Sequence, residues 1–166
     1  MTRESEFKNS ISENRAFLAK RVFDLHLIII NQAEDVYSKM GMIFPVTVSS
    51  VVLFLTSAKQ ASLSDISKAL GQPHQLISQR VKVLLKLGLI EGYQDENDKR
   101  RTLYQFTTDG KLQSELLETY CVEAEIAFND LSEELGLDFH QLLNRACESL
   151  EKNSFANRFP SYGAQK

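Results

Sequence analysis

The fold of this chain is decided by residues 61–110, which read ASLSDISKALGQPHQLISQRVKVLLKLGLIEGYQDENDKRRTLYQFTTDG. Ser62, followed three residues later by Asp65, is typical of a helix start, because a hydroxyl caps the first turn and a carboxylate suits its positive end. Glycine and proline within residues 71–73 predict a tight turn, and Pro73 then opens a second short helix. Two short helices joined by such a turn predict a helix-turn-helix.

The periodicity of the sequence changes after Gly88, where the second helix is expected to end. Residues 90–94 and 102–107 are rich in β-forming side chains such as Tyr93 and Phe106, and they predict two strands. The charged sequence DENDKRR between them predicts a hairpin tip. A helix-turn-helix that carries such a hairpin is a winged helix-turn-helix.

The sequence on both sides of this lobe predicts long helices. From about residue 14 to residue 40, apolar side chains follow one another at steps of four and three, the spacing of a helix that packs against other helices. Residues 109–152 contain two further helices of this kind, interrupted at Gly136. The seam of the first helix comprises Leu18, Val22, Leu25, Ile29, Gln32 and Val36.

We therefore expect a single domain, residues 1–166, that is mostly α with a small β-wing. Its winged helix-turn-helix DNA-binding lobe, residues 45–108, would lie between N- and C-terminal dimerisation helices, residues 14–40 and 109–152, and a loosely held tail would follow at residues 153–166. The apolar seams exceed what one small lobe can cover, and a twofold homodimer would bury them.

Composition excludes a membrane protein and gives no sign of a secreted one. Hydrophobic residues make up 43% and charged residues 25% of the chain, as in an ordinary globular protein. No segment approaches the roughly 18 apolar residues that a membrane span needs. The polar N-terminus has no apolar stretch of the kind found in secretory signals, so we expect a cytoplasmic protein.

The charge of the chain is unevenly distributed. The net charge of −3 by itself argues against a nucleic-acid partner. Residues 66–90, however, contain no acidic residue, whereas residues 109–151 contain eleven acidic and two basic ones. A surface that faces phosphates needs local positive potential only, so any contact with DNA is predicted in the middle of the chain.

The second helix of the helix-turn-helix is predicted to read bases in the major groove. With Ile77, Val81 and Leu84 spaced to face the core, the outward side chains are available to DNA. Glutamine suits a bidentate pair with adenine, and serine suits a base or a phosphate. The predicted contacts are His74, Gln75, Ser78, Gln79, Arg80 and Lys82. A solvated helix face is the alternative interpretation.

The hairpin tip is predicted to enter the minor groove. Arg100 would occupy the groove, where narrow A·T tracts concentrate negative potential. Asp98 would brace its guanidinium through a charge-assisted pair, and Lys99 and Arg101 would contact phosphates. A charged turn that only faces solvent is the alternative interpretation.

These motifs together resemble the MarR family of winged helix-turn-helix transcriptional regulators. The sequence LLKLGLIE is similar to the family's recognition-helix exit, and NDKRRTLYQFTTDG to its wing and following helix start. The resemblance extends over residues 14–152 and implies a dimeric repressor that binds a pseudo-palindromic double-stranded DNA operator and is relieved by a small molecule. Leu76 and Gln79 depart from the family, which commonly has Ser or Thr and Arg at these positions.

A ligand pocket is implied by the same resemblance, at the place where the first two helices meet the lobe. His26, Tyr37, Phe44 and Pro45 lie there, and family members often bind small aromatic or carboxylate ligands in that crevice. Aromatic residues at a helix junction are usually core, so packing is our preferred interpretation of these four residues.

The remaining chemistry-bearing residues predict no enzyme, metal or cofactor. Cys121 and Cys147 form no disulfide or metal framework by spacing, and their acidic surroundings disfavour the thiolate of a redox sensor. His140 and Cys147 share a helix face without further ligands nearby. There is no glycine-rich phosphate loop, nucleophile elbow or carboxylate pair in an apolar setting.

Two other functions are compatible with a winged helix. One is a protein-interaction or dimerisation module, which would have no need of Arg100 or of a basic recognition helix. The other is a non-specific architectural DNA protein, which would be expected to carry a higher positive charge than this chain does.

Overall fold

The computed structural model describes residues 14–160 and consists of helices around one small sheet. The six helices are α1 (Leu18–Met40), α2 (Ser49–Ala58), α3 (Leu63–Leu70), α4 (His74–Lys86), α5 (Thr108–Leu135) and α6 (Phe139–Lys152). The three strands are β1 (Gln60–Ser62), β2 (Ile90–Gln94) and β3 (Thr102–Phe106). Short 3-10 turns occur at Arg15–Phe17, Val46–Val48 and Ala156–Arg158. The predicted mostly α fold with a β-wing is confirmed.

The sheet has three antiparallel strands in the order β1-β3-β2. The predicted hairpin pairs Ile90 with Phe106 at one end and Gln94 with Thr102 at the other. Strand β1, which the sequence analysis did not predict, pairs Ala61 with Tyr104 on the other side of β3. Three residues are too few to show a period of two, and their partners lie far away along the chain.

The predicted start of α3 is confirmed as a reciprocal capping box. Ser62 Oγ accepts the backbone N–H of Asp65 at 3.3 Å, and the Asp65 carboxylate accepts the backbone N–H of Ser62 at 2.9 Å. Gly71 ends the helix at a φ of +61°, a left-handed conformation that favours glycine. Pro73 occupies the N-cap position of α4, where its missing N–H costs no hydrogen bond.

The start of α5 packs against Gly88 and Leu89, the residues that follow α4. Thr107 Oγ1 donates to the Gly88 carbonyl at 2.7 Å and accepts the Gly110 N–H at 3.1 Å. A Cβ atom added to Gly110 would lie 1.8 Å from the Leu89 carbonyl oxygen. Only glycine therefore allows the helix to approach the backbone of Leu89 this closely.

The chain divides into two compact units, one ending at Glu118 and one beginning at Thr119. We call the described part of the first, residues 14–118, the lobe unit, and residues 119–160 the C-terminal unit. The core of the lobe unit joins α2, α3 and α4 and the base of the wing. Tyr37 on α1 and Leu117 on α5 also contribute to it. Its most deeply buried side chains are Tyr37, Val48, Val51, Val52, Leu55, Ile66, Ile77, Val81, Leu84, Leu89 and Leu117.

Two surfaces of the lobe unit are left exposed. Ala69 is exposed, because α3 buries one narrow stripe centred on Ile66. The predicted seam of α1 is also largely uncovered: Leu18 is 68% exposed and Val22 is 51% exposed. Of the residues in α1, only Ala33 and Tyr37 are buried.

The C-terminal unit differs from the lobe unit in the burial of its residues. None of residues 119–160, all of which the structure describes, is buried. Helix α6 begins where predicted, with Asp138 Oδ1 accepting the Gln141 N–H at 2.8 Å. The described part of the predicted tail folds back on α6, since Arg158 Nη2 donates to the Ser149 carbonyl at 2.8 Å; residues 161–166 lie outside the described residues.

No helix between residues 14 and 160 is both long and apolar enough to span a bilayer.

Candidate nucleic-acid interface

Helix α4 presents the face that the sequence assigned to the major groove. Its buried stripe consists of Ile77, Val81 and Leu84. Four of the predicted contact residues are exposed and Ser78 is half-buried; the exposed ones are His74, Gln75, Gln79 and Lys82. This face carries positive charge and no carboxylate, so a phosphate backbone can approach it without repulsion from α4 itself.

Arg80 is the exception among the predicted contacts on α4. Its Nη1 donates to Ser50 Oγ at 3.2 Å and also to Gln72 Oε1. The guanidinium therefore ties α4 to α2 and to the turn between α3 and α4. The sequence did not predict this bracing role, because Ser50 lies thirty residues away and no spacing indicates the pairing.

The wing tip is shaped by backbone contacts within residues 95–101. The Arg101 N–H donates to the Asp98 carbonyl at 2.8 Å, and the Asp95 N–H donates to the Arg101 carbonyl at 3.0 Å. Asp98 Oδ1 accepts the backbone N–H of Arg100 at 3.0 Å, whereas the sequence predicted a contact with the guanidinium. A carboxylate reaches a backbone N–H two residues later at little entropic cost, as in other Asx turns. Lys99 and Arg100 are exposed.

The base of the wing is fastened to the helix-turn-helix by an ion pair. Arg101 Nη2 lies 2.7 Å from Asp65 Oδ2 and 3.2 Å from Ser62 Oγ. Its Nη1 lies 4.0 Å from Asp95 Oδ2. The Arg101 side chain remains 43% exposed, so its predicted phosphate contact stays a prediction. The sequence did not reveal that one carboxylate, Asp65, both caps α3 and holds the wing.

The electrostatics of this junction favour an ionised Asp65. Hydrogen bonds from the Ser62 side chain and backbone hold the pKa of Asp65 below its ordinary value of 3.8, and the charge of Arg101 lowers it further. Partial burial acts in the opposite direction but is outweighed. At neutral pH the carboxylate is therefore available to both the cap and the wing.

A small cleft lies between the wing tip and the beginning of α4. The cleft has a volume of about 210 Å³, and its lining includes His74 from α4 together with Arg100, Thr102 and Tyr104 from the wing. The first residue of the recognition helix and the arginine of the wing tip are thus neighbours in space. The two predicted DNA-contacting elements form one continuous surface.

A second cleft, of about 440 Å³, lies between the end of α1 and the start of α2. Tyr37, Phe44 and Pro45 line it, whereas His26 is not among its lining residues and lies against Phe23 on α1. Tyr37 and Phe44 are both buried, with their rings edge to face and their centroids 5.7 Å apart. The Tyr37 hydroxyl and Ser49 Oγ are hydrogen-bonded at 2.7 Å.

The cysteines and acidic residues form no metal site in the part of the chain that is described. No group of three or more histidine, cysteine or acidic side chains in residues 14–160 could hold a metal ion. Neither cysteine forms a disulfide within the described residues; Cys121 is half-buried and Cys147 is exposed.

Comparison with solved structures shows which fold this is. FabT of Streptococcus pneumoniae, solved with DNA, has a TM-score of 0.62 and 17% identity, covering 84% of this chain and 99% of that chain. PcaV of Streptomyces coelicolor, solved with its natural ligand, has a TM-score of 0.61 and 19% identity, covering 83% and 94%. The adhesin competence repressor of Streptococcus pyogenes has a TM-score of 0.58 and 19% identity, covering 81% and 95%. At these identities the likeness concerns the fold.

The sequence itself also matches a family. The MarR-family model matches residues 44–101, which contain the helix-turn-helix and the wing up to its tip. No curated protein matches the chain. The predicted MarR resemblance is confirmed over the helix-turn-helix and the wing, which match the family model. The fold of the chain is similar to that of a solved MarR-family transcription regulator, with a TM-score of 0.60.

Proposed function

We propose that this protein is a sequence-specific DNA-binding transcription regulator. The observation that carries the proposal is the single surface formed by α4 and the wing tip, on which His74 and Arg100 line one cleft. A recognition helix beside a basic hairpin tip can contact a major groove and the adjacent minor groove at once. The absence of acidic residues from α4 removes the repulsion that phosphates would otherwise meet.

Some of the proposed contacts with DNA recognise base edges, and others neutralise the charge of the phosphates. Gln75 and Gln79 are exposed on α4 and can form paired hydrogen bonds with adenine edges. Arg100 would lie in the minor groove, while Lys82 and Lys99 would neutralise phosphates. Arg80 contributes indirectly, because it holds α4 against α2.

The regulator would act as a homodimer on a pseudo-palindromic operator. The support is apolar surface that is exposed on each unit within residues 14–160: Val22 and Phe23 on α1, and Leu142 and Leu150 on α6. A twofold dimer would bury such surface and present two copies of α4 to successive major grooves. Light scattering at micromolar concentration should give twice the chain mass of 18.9 kDa. A monomer would overturn the dimer and the palindromic operator together.

A small aromatic or carboxylate ligand would relieve repression by binding the cleft beside Tyr37 and Phe44. The support is the position of this cleft between the end of α1 and the start of α2, where a ligand would contact Tyr37 and Phe44 and could change the packing of the two helices. Thermal unfolding with 4-hydroxybenzoate as a probe, in parallel with operator binding, tests this step. A ligand that raises Tm and releases DNA supports it; a panel of such acids without effect on either contradicts it.

The experiment that tests DNA binding compares two arginines. A preferred duplex is selected from a random library, and binding is followed by fluorescence anisotropy across a salt series on that duplex and on a scrambled one. Arg100→Ala should weaken binding and flatten the salt dependence by about one unit of slope for each half-site. Arg145→Ala, which removes the same charge from the exposed face of α6, should leave both unchanged.

A second comparison separates base reading from charge. Gln79→Ala removes no charge, so its salt slope should equal that of the parent chain. It should lose about 1–3 kcal/mol on the selected duplex and little on the scrambled one. If Arg100→Ala binds as tightly as the parent at every salt concentration, the wing assignment is wrong. An interaction module without sequence-specific DNA binding then becomes the better proposal.

A further inference from the structure

Leu76 is an exposed leucine in the first turn of the recognition helix. Its side chain is 37% exposed, and the helix begins only two residues earlier, at His74. Successive residues of a helix are rotated by about 100°. Leu76 therefore lies to one side of the buried stripe to which Ile77 belongs. Base edges are contacted mainly from the N-terminal part of a recognition helix. Leu76 is therefore placed to meet a base when α4 enters the groove.

The one arginine of α4, a helix that the structure describes in full, is held within the protein. Arg80 Nη1 is engaged by Ser50 and Gln72, as described above. A bidentate pair between arginine and guanine is the commonest specific contact in the major groove. With Arg80 engaged, the first two turns of α4 offer no guanidinium to guanine.

Three of the side chains that remain on this part of α4, Gln75, Leu76 and Gln79, are suited to A·T base pairs. The amides of Gln75 and Gln79 can accept from adenine N6 and donate to N7. The C5 methyl of thymine is the apolar group on the major-groove edges, and an aliphatic side chain gains by covering it. A serine or threonine in place of Leu76 would offer a smaller apolar surface to that methyl.

We propose that Leu76 reads a thymine methyl group in the major groove and, with Gln75 and Gln79, makes A·T pairs the preferred partners of α4. The inference rests on the proposed function, since it requires α4 to lie in a major groove. Burying one methyl group against an aliphatic side chain changes affinity about fourfold, so a symmetric change in both half-sites of a dimer changes it by more than tenfold.

The test removes the methyl from the DNA and the leucine from the protein, separately and together. Each dT of the duplex selected by the parent chain is replaced by dU, symmetrically in both half-sites, which deletes only the C5 methyl. The parent chain should lose about tenfold or more in affinity at one position. Leu76→Ala should bind the unmodified duplex with a similar loss and show no further loss when that dT becomes dU.

Two variants control for indirect effects. Leu85→Ala removes the same side chain, 38% exposed, from the C-terminal end of the same helix, and it should keep the full sensitivity to dU. Leu76→Met retains an apolar contact and should keep most of that sensitivity. Circular dichroism melts establish that all variants fold.

The outcomes distinguish this inference from the proposed function. If Leu76→Ala remains fully sensitive to dU, or if the parent chain is indifferent to every dU, Leu76 does not read thymine. A selected half-site rich in G·C, bound tightly by the parent chain, would overturn the inference alone. Enrichment of no sequence at all would overturn both the inference and sequence-specific binding.

Discussion

The lobe unit and the C-terminal unit differ in how far their apolar side chains are buried. In the lobe unit, leucine and isoleucine side chains such as Ile66, Ile77 and Leu84 are completely buried within the chain. In the C-terminal unit, leucines recur on α6 at helical spacing, yet Leu143 is 40% and Leu150 is 47% exposed. A long amphipathic helix gains little stability unless its apolar face is covered. The comparison shows that the first unit contains its own core, whereas the second leaves its apolar side chains exposed, as the proposed dimer would require.

The largest effect is expected from the core of the lobe unit. Leu84→Ala should lower the free energy of unfolding by about 2–5 kcal/mol, because it leaves a cavity among fully packed side chains. Urea unfolding followed by circular dichroism measures this loss. Leu85→Ala, the next residue but 38% exposed, is the matched control and should cost far less. Equal losses at the two positions would show that the core is not packed as described.

A smaller effect of a different kind is expected from the C-terminal unit. Leu143→Ala should weaken the proposed dimer by about 1–3 kcal/mol, the amount gained by burying such a side chain at an interface. Sedimentation over a dilution series should show dissociation at higher protein concentration than in the parent chain. Arg145→Ala, on the same helix but away from the apolar face, should leave dissociation unchanged. If Leu143→Ala also leaves it unchanged, α6 does not contribute to the interface.

An effect of about 1 kcal/mol is expected from Asp65→Asn, which removes an acidic cap residue and its ion pair with Arg101. The pKa of Asp65 is lower in the folded chain than its ordinary value of 3.8, so its contribution is present above that pH and is lost as the pH falls through the folded-state pKa. The difference between parent and variant should therefore stay constant from pH 7 to pH 5 and shrink in more acidic solution. A difference that grew on acidification would contradict the lowered pKa.

The smallest effect is expected from the thiols. The double variant Cys121→Ser with Cys147→Ser should bind the selected duplex within about twofold of the parent chain, because neither residue lies on the α4 and wing surface. Treatment with hydrogen peroxide should alter neither protein's affinity. Release of DNA from the parent chain alone after peroxide would show that a cysteine acts as a redox sensor.

Local signals explain what the sequence could predict. The capping box at Ser62, the turn at Gly71 and the buried stripe of α4 each depend on residues within one or two turns of helix, where spacing alone is informative. Several features that escaped prediction depend on tertiary pairing. Arg80 donates to Ser50, which lies 30 residues earlier in the sequence, and Arg101 donates to Asp65, which lies 36 residues earlier. No periodicity in the sequence encodes such partners.

The exposed seam of α1 illustrates a second limit. The spacing of Leu18 and Val22 predicts a face that packs against another helix, but it cannot indicate whether that helix belongs to the same chain. The structure leaves both side chains more than half exposed. Amphipathic spacing predicts that a surface is to be covered, and the identity of the covering element requires separate evidence.

The three-residue strand β1 has a consequence for the order in which the chain folds. The two strands of the wing are neighbours in sequence, and a hairpin of this kind closes in about 1–10 µs. Strand β1 joins it through residues such as Ala61 and Tyr104, which are 43 positions apart. Closing that long loop costs conformational entropy, and the cost becomes smaller once α3 and α4, which lie within the loop, have folded. We therefore expect β1 to dock last and its amides to exchange with solvent before those of the hairpin.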